Sequence, residues 1–90
     1  MADKLKQLDN RYSELAMRME NSEIYADPAA YTKCVREMKE LEPIVTAYRE
    51  YAKCEKTMKE AEKLMSDPEF RELAQDEYNE SRERMSELSE

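Results

Sequence analysis

None of the ninety positions of this chain is glycine, and that absence removes most of the folds a chain of this size has open to it. Glycine takes positive φ without steric penalty and lets backbone approach a ligand closely. β-rich folds and phosphate-cradling loops lean on it, and the Gly-rich nucleotide motifs cannot exist without it. A glycine-free chain can still form α-helices joined by turns of other residues. Charged residues make up 41% and apolar residues 40% of the sequence, a balance suited to amphipathic helices with one apolar stripe and one solvated face. Six tyrosines, seven methionines and spaced leucines give a modest core, where a disordered chain would have little apolar material. The reading is one small all-α domain, near the lower size limit for folding without staples.

Two similar punctuation marks divide the chain: Ala26-Asp27-Pro28-Ala29 and Ser66-Asp67-Pro68-Glu69. In each, aspartate can cap free backbone amides, and proline suits the first helical position, where its missing N–H costs nothing. Proline also pushes the preceding residue out of the α region, which helps end the helix before it. Three antiparallel amphipathic helices are predicted, over about 3–21, 28–65 and 68–88. Asp3 is the expected cap of the first, whose seam is Leu5, Leu8, Tyr12, Leu15 and Met19, in alternating steps of three and four. Residues 21–25 read as a short connection. The middle helix presents Tyr31, Val35, Met38 and Leu41, then Ile44, Tyr48, Tyr51, Met58, Ala61 and Met65 with Leu64 beside it. Pro43 removes the bond to the Lys39 carbonyl, so this helix is expected to kink or break there. The third helix presents Phe70, Leu73, Ala74, Tyr78, Ser81, Met85 and Leu88. It carries no stop signal by residue 90, as if cut there. Either an elongated assembly of helical hairpins or a three-helix bundle would satisfy this pattern.

The net charge of −7 disfavours nucleic-acid binding, which needs a basic surface to neutralise phosphate. The excess is local. Residues 1–22 carry four positive and four negative side chains, residues 23–66 eight and nine, and residues 67–90 three and nine. A partner for the last quarter would be a basic protein surface sooner than RNA. Cys34 and Cys54, on one helix, would lie roughly 30 Å apart, too far for a disulfide. Two free thiols fit a reducing compartment. No apolar run approaches the roughly 20 residues of a membrane span, and no hydrophobic signal segment follows Met1. A soluble, cytoplasmic protein is expected.

No catalytic, cofactor-binding or metal-binding residue can be assigned. Histidine is absent, which removes His-based triads and His-ligated metals. Glu69, Glu72, Asp76, Glu80 and Glu83 form an acidic row at helical spacing. Di-metal bundles also use a Glu-x-x-His element, so the row reads first as a solvated face and second as a docking surface. Arg49, Lys53, Lys56, Lys59 and Lys63 form a basic strip interleaved with Glu50, Glu55, Glu60 and Glu62. Local pairing is the simplest account of it, and an RNA backbone contact is the alternative. The leucine and methionine seams read as core. The seam of the first helix would also suit a free-standing coiled-coil adaptor or dimerisation module.

The most specific stretch is Leu64-Met65-Ser66-Asp67-Pro68-Glu69-Phe70-Arg71-Glu72-Leu73-Ala74-Gln75-Asp76-Glu77. It resembles the N-terminal domain of bacterial class I peptide chain release factors, in particular those of type 1. The likeness extends in layout over essentially the whole chain. It implies a translation termination factor that promotes stop-codon-dependent release of the peptide on the ribosome, at UAA and UAG for type 1. Such factors carry a Gly-Gly-Gln loop and, in type 1, a codon-reading Pro-x-Thr; neither occurs in this sequence. The resemblance therefore implies a non-catalytic N-terminal fragment of a longer factor, without the codon-recognition and Gly-Gly-Gln domains. In the family this domain projects toward the GTPase-associated region of the large subunit, near the stalk-base protein and rRNA. The class II GTPase release factor is a further partner that the resemblance implies. The isolated fragment is expected to be a monomer or a weak dimer.

Overall fold

The computed structural model describes residues 2–89. In order these form α1 (Ala2–Glu20), a short 3₁₀ helix (Ser22–Ala26), α2 (Pro28–Leu64) and α3 (Arg71–Leu88). No strand occurs among the described residues. The chain divides into two compact units after Thr46, and α2 lends one arm to each.

In the first unit, α1 lies antiparallel to the start of α2. Arg11 bonds Glu37, and one helical turn further along α1 the Leu15 carbonyl accepts from the Cys34 thiol at 3.6 Å. The predicted seam of α1 is the packed one: Leu15 is buried, and Leu5, Leu8, Tyr12 and Met19 are half-buried. Cys34 and Val45 complete the buried set of this unit. Side chains hold the connection. Asn21 caps the 3₁₀ helix by accepting the Glu23 N–H at 3.0 Å. Tyr25 donates its hydroxyl to the Met19 carbonyl at 3.0 Å, and its ring lies 5.3 Å from that of Tyr31. The short connection expected over 21–25 is an ordered 3₁₀ turn.

α2 begins at Pro28, as the Asp-Pro pair predicts. The Asp27 carboxylate accepts the Ala30 N–H at 3.2 Å and its carbonyl accepts from Tyr31 at 3.0 Å, the bonding of an N-cap. Asp27→Ala should cost about 1 kcal/mol, read as a lowered midpoint in urea; an unchanged midpoint would refute the cap. Asp3, expected to cap α1, instead lies within its first turn. There a carboxylate still complements the helix dipole.

Of the two outcomes open at Pro43, the break is not taken: α2 runs as a single helix of 37 residues with Pro43 inside it. Proline removes one hydrogen bond. Lys39 and Pro43 are both exposed, so water can serve the released carbonyl. The apolar register does shift here. Val45 is the buried residue, at 2% exposure, while Ile44, the predicted seam residue, is 45% exposed.

In the second unit, α3 returns along the end of α2, with Arg84 bonded to Glu50. The buried side chains are small: Ala61 on α2, Ala74 and Ser81 on α3. Small residues on facing helices allow close axial approach. The turn between them corrects the predicted start of α3 from 68 to 71. The Asp67 N–H bonds the Leu64 carbonyl at 3.0 Å and the Phe70 N–H bonds the Asp67 carbonyl at 3.1 Å. These successive turns occupy the residues before the helix. Asp67 accepts the Glu69 N–H at 3.0 Å, so its carboxylate holds the turn, while Phe70 stands at the N-cap without a side-chain bond. Arg71 donates to the Met65 carbonyl at 3.1 Å and so satisfies an orphan carbonyl at the end of α2. Phe70 and Leu73, expected inside, are 41% and 60% exposed.

Candidate docking surfaces

Two arginine–glutamate clamps hold the hairpins. Arg11 meets both carboxylate oxygens of Glu37, one of them at 3.1 Å, and also reaches Glu14 at 3.4 Å. Arg84 meets Glu50 at 2.6 and 3.0 Å and Glu87 at 2.9 Å. Planar guanidinium on carboxylate is a bidentate match that fixes geometry as well as charge. The hydrogen bond from Arg11 holds the Glu37 carboxyl below its ordinary value of 4.5, and Arg84 does the same for Glu50. Sequence reasoning missed both clamps. Their only signal is that Glu37 and Glu50 sit at the edges of the apolar seam of α2, beside Met38 and Tyr51.

The depressed carboxylates give a pH prediction. A group with a lowered folded-state pKa contributes stability that is present above the unfolded value, near 4.5, and lost as pH falls through the folded value. Acid unfolding below about pH 4.5 should therefore be less steep in Glu37→Gln/Glu50→Gln than in the parent, by circular dichroism. Superimposable acid transitions would show that the clamps are not coupled to folding.

A cleft of about 470 Å³ opens beside the first clamp. Leu15, Ile24, Ala30 and Cys34 form its apolar part, with Arg18, Lys33, Glu23 and Asp27 among the charged residues around it. The Cys34 thiol is buried and directed to a carbonyl. Charge of both signs lines the cleft, so its walls favour neither an anion nor a cation. Among the described residues no group of three or more His, Cys, Asp or Glu is arranged to hold a metal ion.

The charged rows stay on the surface. Glu72, Asp76, Glu80 and Glu83 are exposed along α3, and Glu69 is exposed in the turn before it. The basic strip is exposed on α2; Lys59 pairs with Glu55 at 3.3 Å, and Arg49 has a partner of its own. The seam that a dimer of α1 would use is instead packed within the chain. Three exposed large apolar residues lie at or beside the α2–α3 turn, Leu64, Phe70 and Leu73, while Met17, Tyr25 and Ile44 are exposed elsewhere. What these helices offer is surface, in the form of an acidic row, a mixed-charge strip and one apolar turn.

Residues 8–90 match the family model described as the PCRF domain. The chain belongs to the PCRF domain family. Its relatives place it in the type 1 branch of bacterial peptide chain release factors. It is 41% identical to peptide chain release factor 1 of Carboxydothermus hydrogenoformans, over 98% of this chain and 25% of that protein. Identity to the factor of the same name from Deinococcus deserti is 36%, over 98% of this chain and 24% of the relative. For Burkholderia thailandensis it is 35%, over 99% and 25%. The PCRF domain chain thus spans about a quarter of the length of these curated relatives. No solved structure matches it. No helix among the described residues is long and apolar enough to cross a membrane.

Proposed function

We propose that this chain is the amino-terminal helical domain of a longer, cytoplasmic type 1 termination factor, and that it works there as a docking module. The observation that carries the reading is the PCRF match over residues 8–90, with relatives named peptide chain release factor 1. The parent factor directs peptide release at UAA and UAG on the ribosome. Reading of the codon and promotion of peptidyl-tRNA hydrolysis belong to parts of the factor outside these ninety residues. The module's partners are the GTPase-associated region of the large subunit, with its stalk-base protein and rRNA, and the class II GTPase release factor. Helical faces with an exposed apolar turn and an acidic row support docking over catalysis.

The test has two readouts. Added to ribosomes halted at a stop codon, the ninety-residue chain should compete with full-length type 1 factor and slow its peptide release, yet release no peptide itself. Codon-dependent release by the chain alone would overturn the non-catalytic assignment, and absence of any competition would overturn the docking role. A reading frame continuing past Glu90 into Pro-x-Thr and then Gly-Gly-Gln would support the parent factor; a stop codon there would favour the free-standing adaptor.

A further inference from the structure

We propose that Leu64, Phe70 and Leu73 form an apolar knob rimmed by Glu69, Glu72 and Asp76, which docks a basic amphipathic segment of a partner protein. The inference rests on the docking role above and adds the face and the partner's chemistry. Proximity follows from the turn. Successive i to i+3 bonds link Leu64 to Asp67 and Asp67 to Phe70, so Leu64 at the end of α2 and Phe70 at the N-cap of α3 stand at the two ends of one short hydrogen-bonded turn. The Ala74 N–H bonds the Phe70 carbonyl at 2.8 Å, so the chain is already helical there and Leu73 follows one turn on from Phe70. All three side chains are more than two-fifths exposed. Scattered exposed leucines need no explanation, but three large apolar residues exposed at and beside one short turn are the kind of clustering that marks an interaction site.

Charge selects the occupant. Residues 64–76 hold four carboxylates and one cation, Arg71, and Arg71 is tied to the Met65 carbonyl. Glu72 has a structural use against the dipole of α3, whereas Asp76 lies beyond the first turn and Glu69 before it. Carboxylates around an apolar centre exclude RNA by repulsion and complement a helix with apolar residues on one face and lysine or arginine at its edges.

The probe is a synthetic amphipathic helix with leucine on one face and lysine on the other, titrated against the ninety-residue chain by fluorescence anisotropy. The same peptide with glutamate for lysine, and a single-stranded RNA, are the comparators. The lysine peptide should bind and the other two should not. Leu73→Ser should weaken the lysine peptide about tenfold, while Met17→Ser, which alters an exposed residue on α1, should leave it unchanged. Both positions are exposed, so both variants should melt like the parent. Failure of the lysine peptide to bind, equal binding of the glutamate peptide, preference for RNA, or indifference to Leu73→Ser would each overturn the proposal. So would a concentration-dependent dimer abolished by Leu73→Ser, which would assign the knob to a second copy. Peptide binding without ribosomal competition would sink the ribosomal reading alone, and competition without peptide binding would sink this one alone.

Discussion

Leu15→Ala is expected to destabilise the protein by about 3 kcal/mol and to lower the thermal midpoint by roughly 10–20 °C. Leu15 is the one large side chain among the described residues with essentially no exposure, at 1%. Truncation removes its transfer free energy and leaves a cavity that the surrounding helices only partly fill. The neighbours have little means to adapt. The Leu15 carbonyl accepts from Cys34, and the Arg11–Glu37 clamp holds the same two helices one turn away. A small domain has a stability of only several kcal/mol, so this single change consumes much of it. Leu15→Met keeps the volume and should cost under about 1.5 kcal/mol. Melting curves of the two variants read the difference directly. A Leu15→Ala midpoint within about 3 °C of the parent would mean that α1 is not anchored through this residue.

The places where the sequence is readable and where it is not share one physical cause. The seam of α1 is legible because its apolar residues are separated by polar ones, so a 3.6-residue period has a single solution. The start of α2 is legible because Asp27-Pro28 combines a cap with a fixed φ. Two misreadings of the core fall where apolar residues are adjacent: at Ile44-Val45 the pattern points to the wrong neighbour, and at Leu73-Ala74 it admits both; Phe70, the third, is 41% exposed at the N-cap of α3. Periodicity cannot choose between neighbours about 100° apart on the helix. Packing chose the second of each pair, and in Leu73-Ala74 it chose the smaller one. The 68–70 turn was misread for a related reason: a cap-like aspartate before proline signals a helix start equally well when its carboxylate closes only a local turn. The Arg11–Glu37 and Arg84–Glu50 clamps span 26 and 34 residues, and nothing local announces a pairing at that distance. Function was legible only through the resemblance carried by Leu64 to Glu77; no side-chain chemistry in the chain points to it.

The pair Leu73-Ala74 turns that ambiguity into a measurement. Ala74→Leu should destabilise the second unit by about 2 kcal/mol, whereas Leu73→Ala should change stability by less than about 0.5 kcal/mol. Hydrophobicity alone argues the reverse, since one change adds apolar volume and the other deletes it. The clamp between Arg84 and Glu50 sets the antiparallel register of α3 on α2, and in that register Ala74 stands level with Ala61. Those residues are 1% and 0% exposed. Close-packed interiors have no room for three added carbons without off-rotamer side chains or displaced backbone. Leu73 is 60% exposed, so truncating it removes surface already in water. Urea unfolding of both variants decides the matter. A stabilised Ala74→Leu would show that the alanine contact hides an unfilled gap, and a costly Leu73→Ala would show that the apolar knob is part of the core.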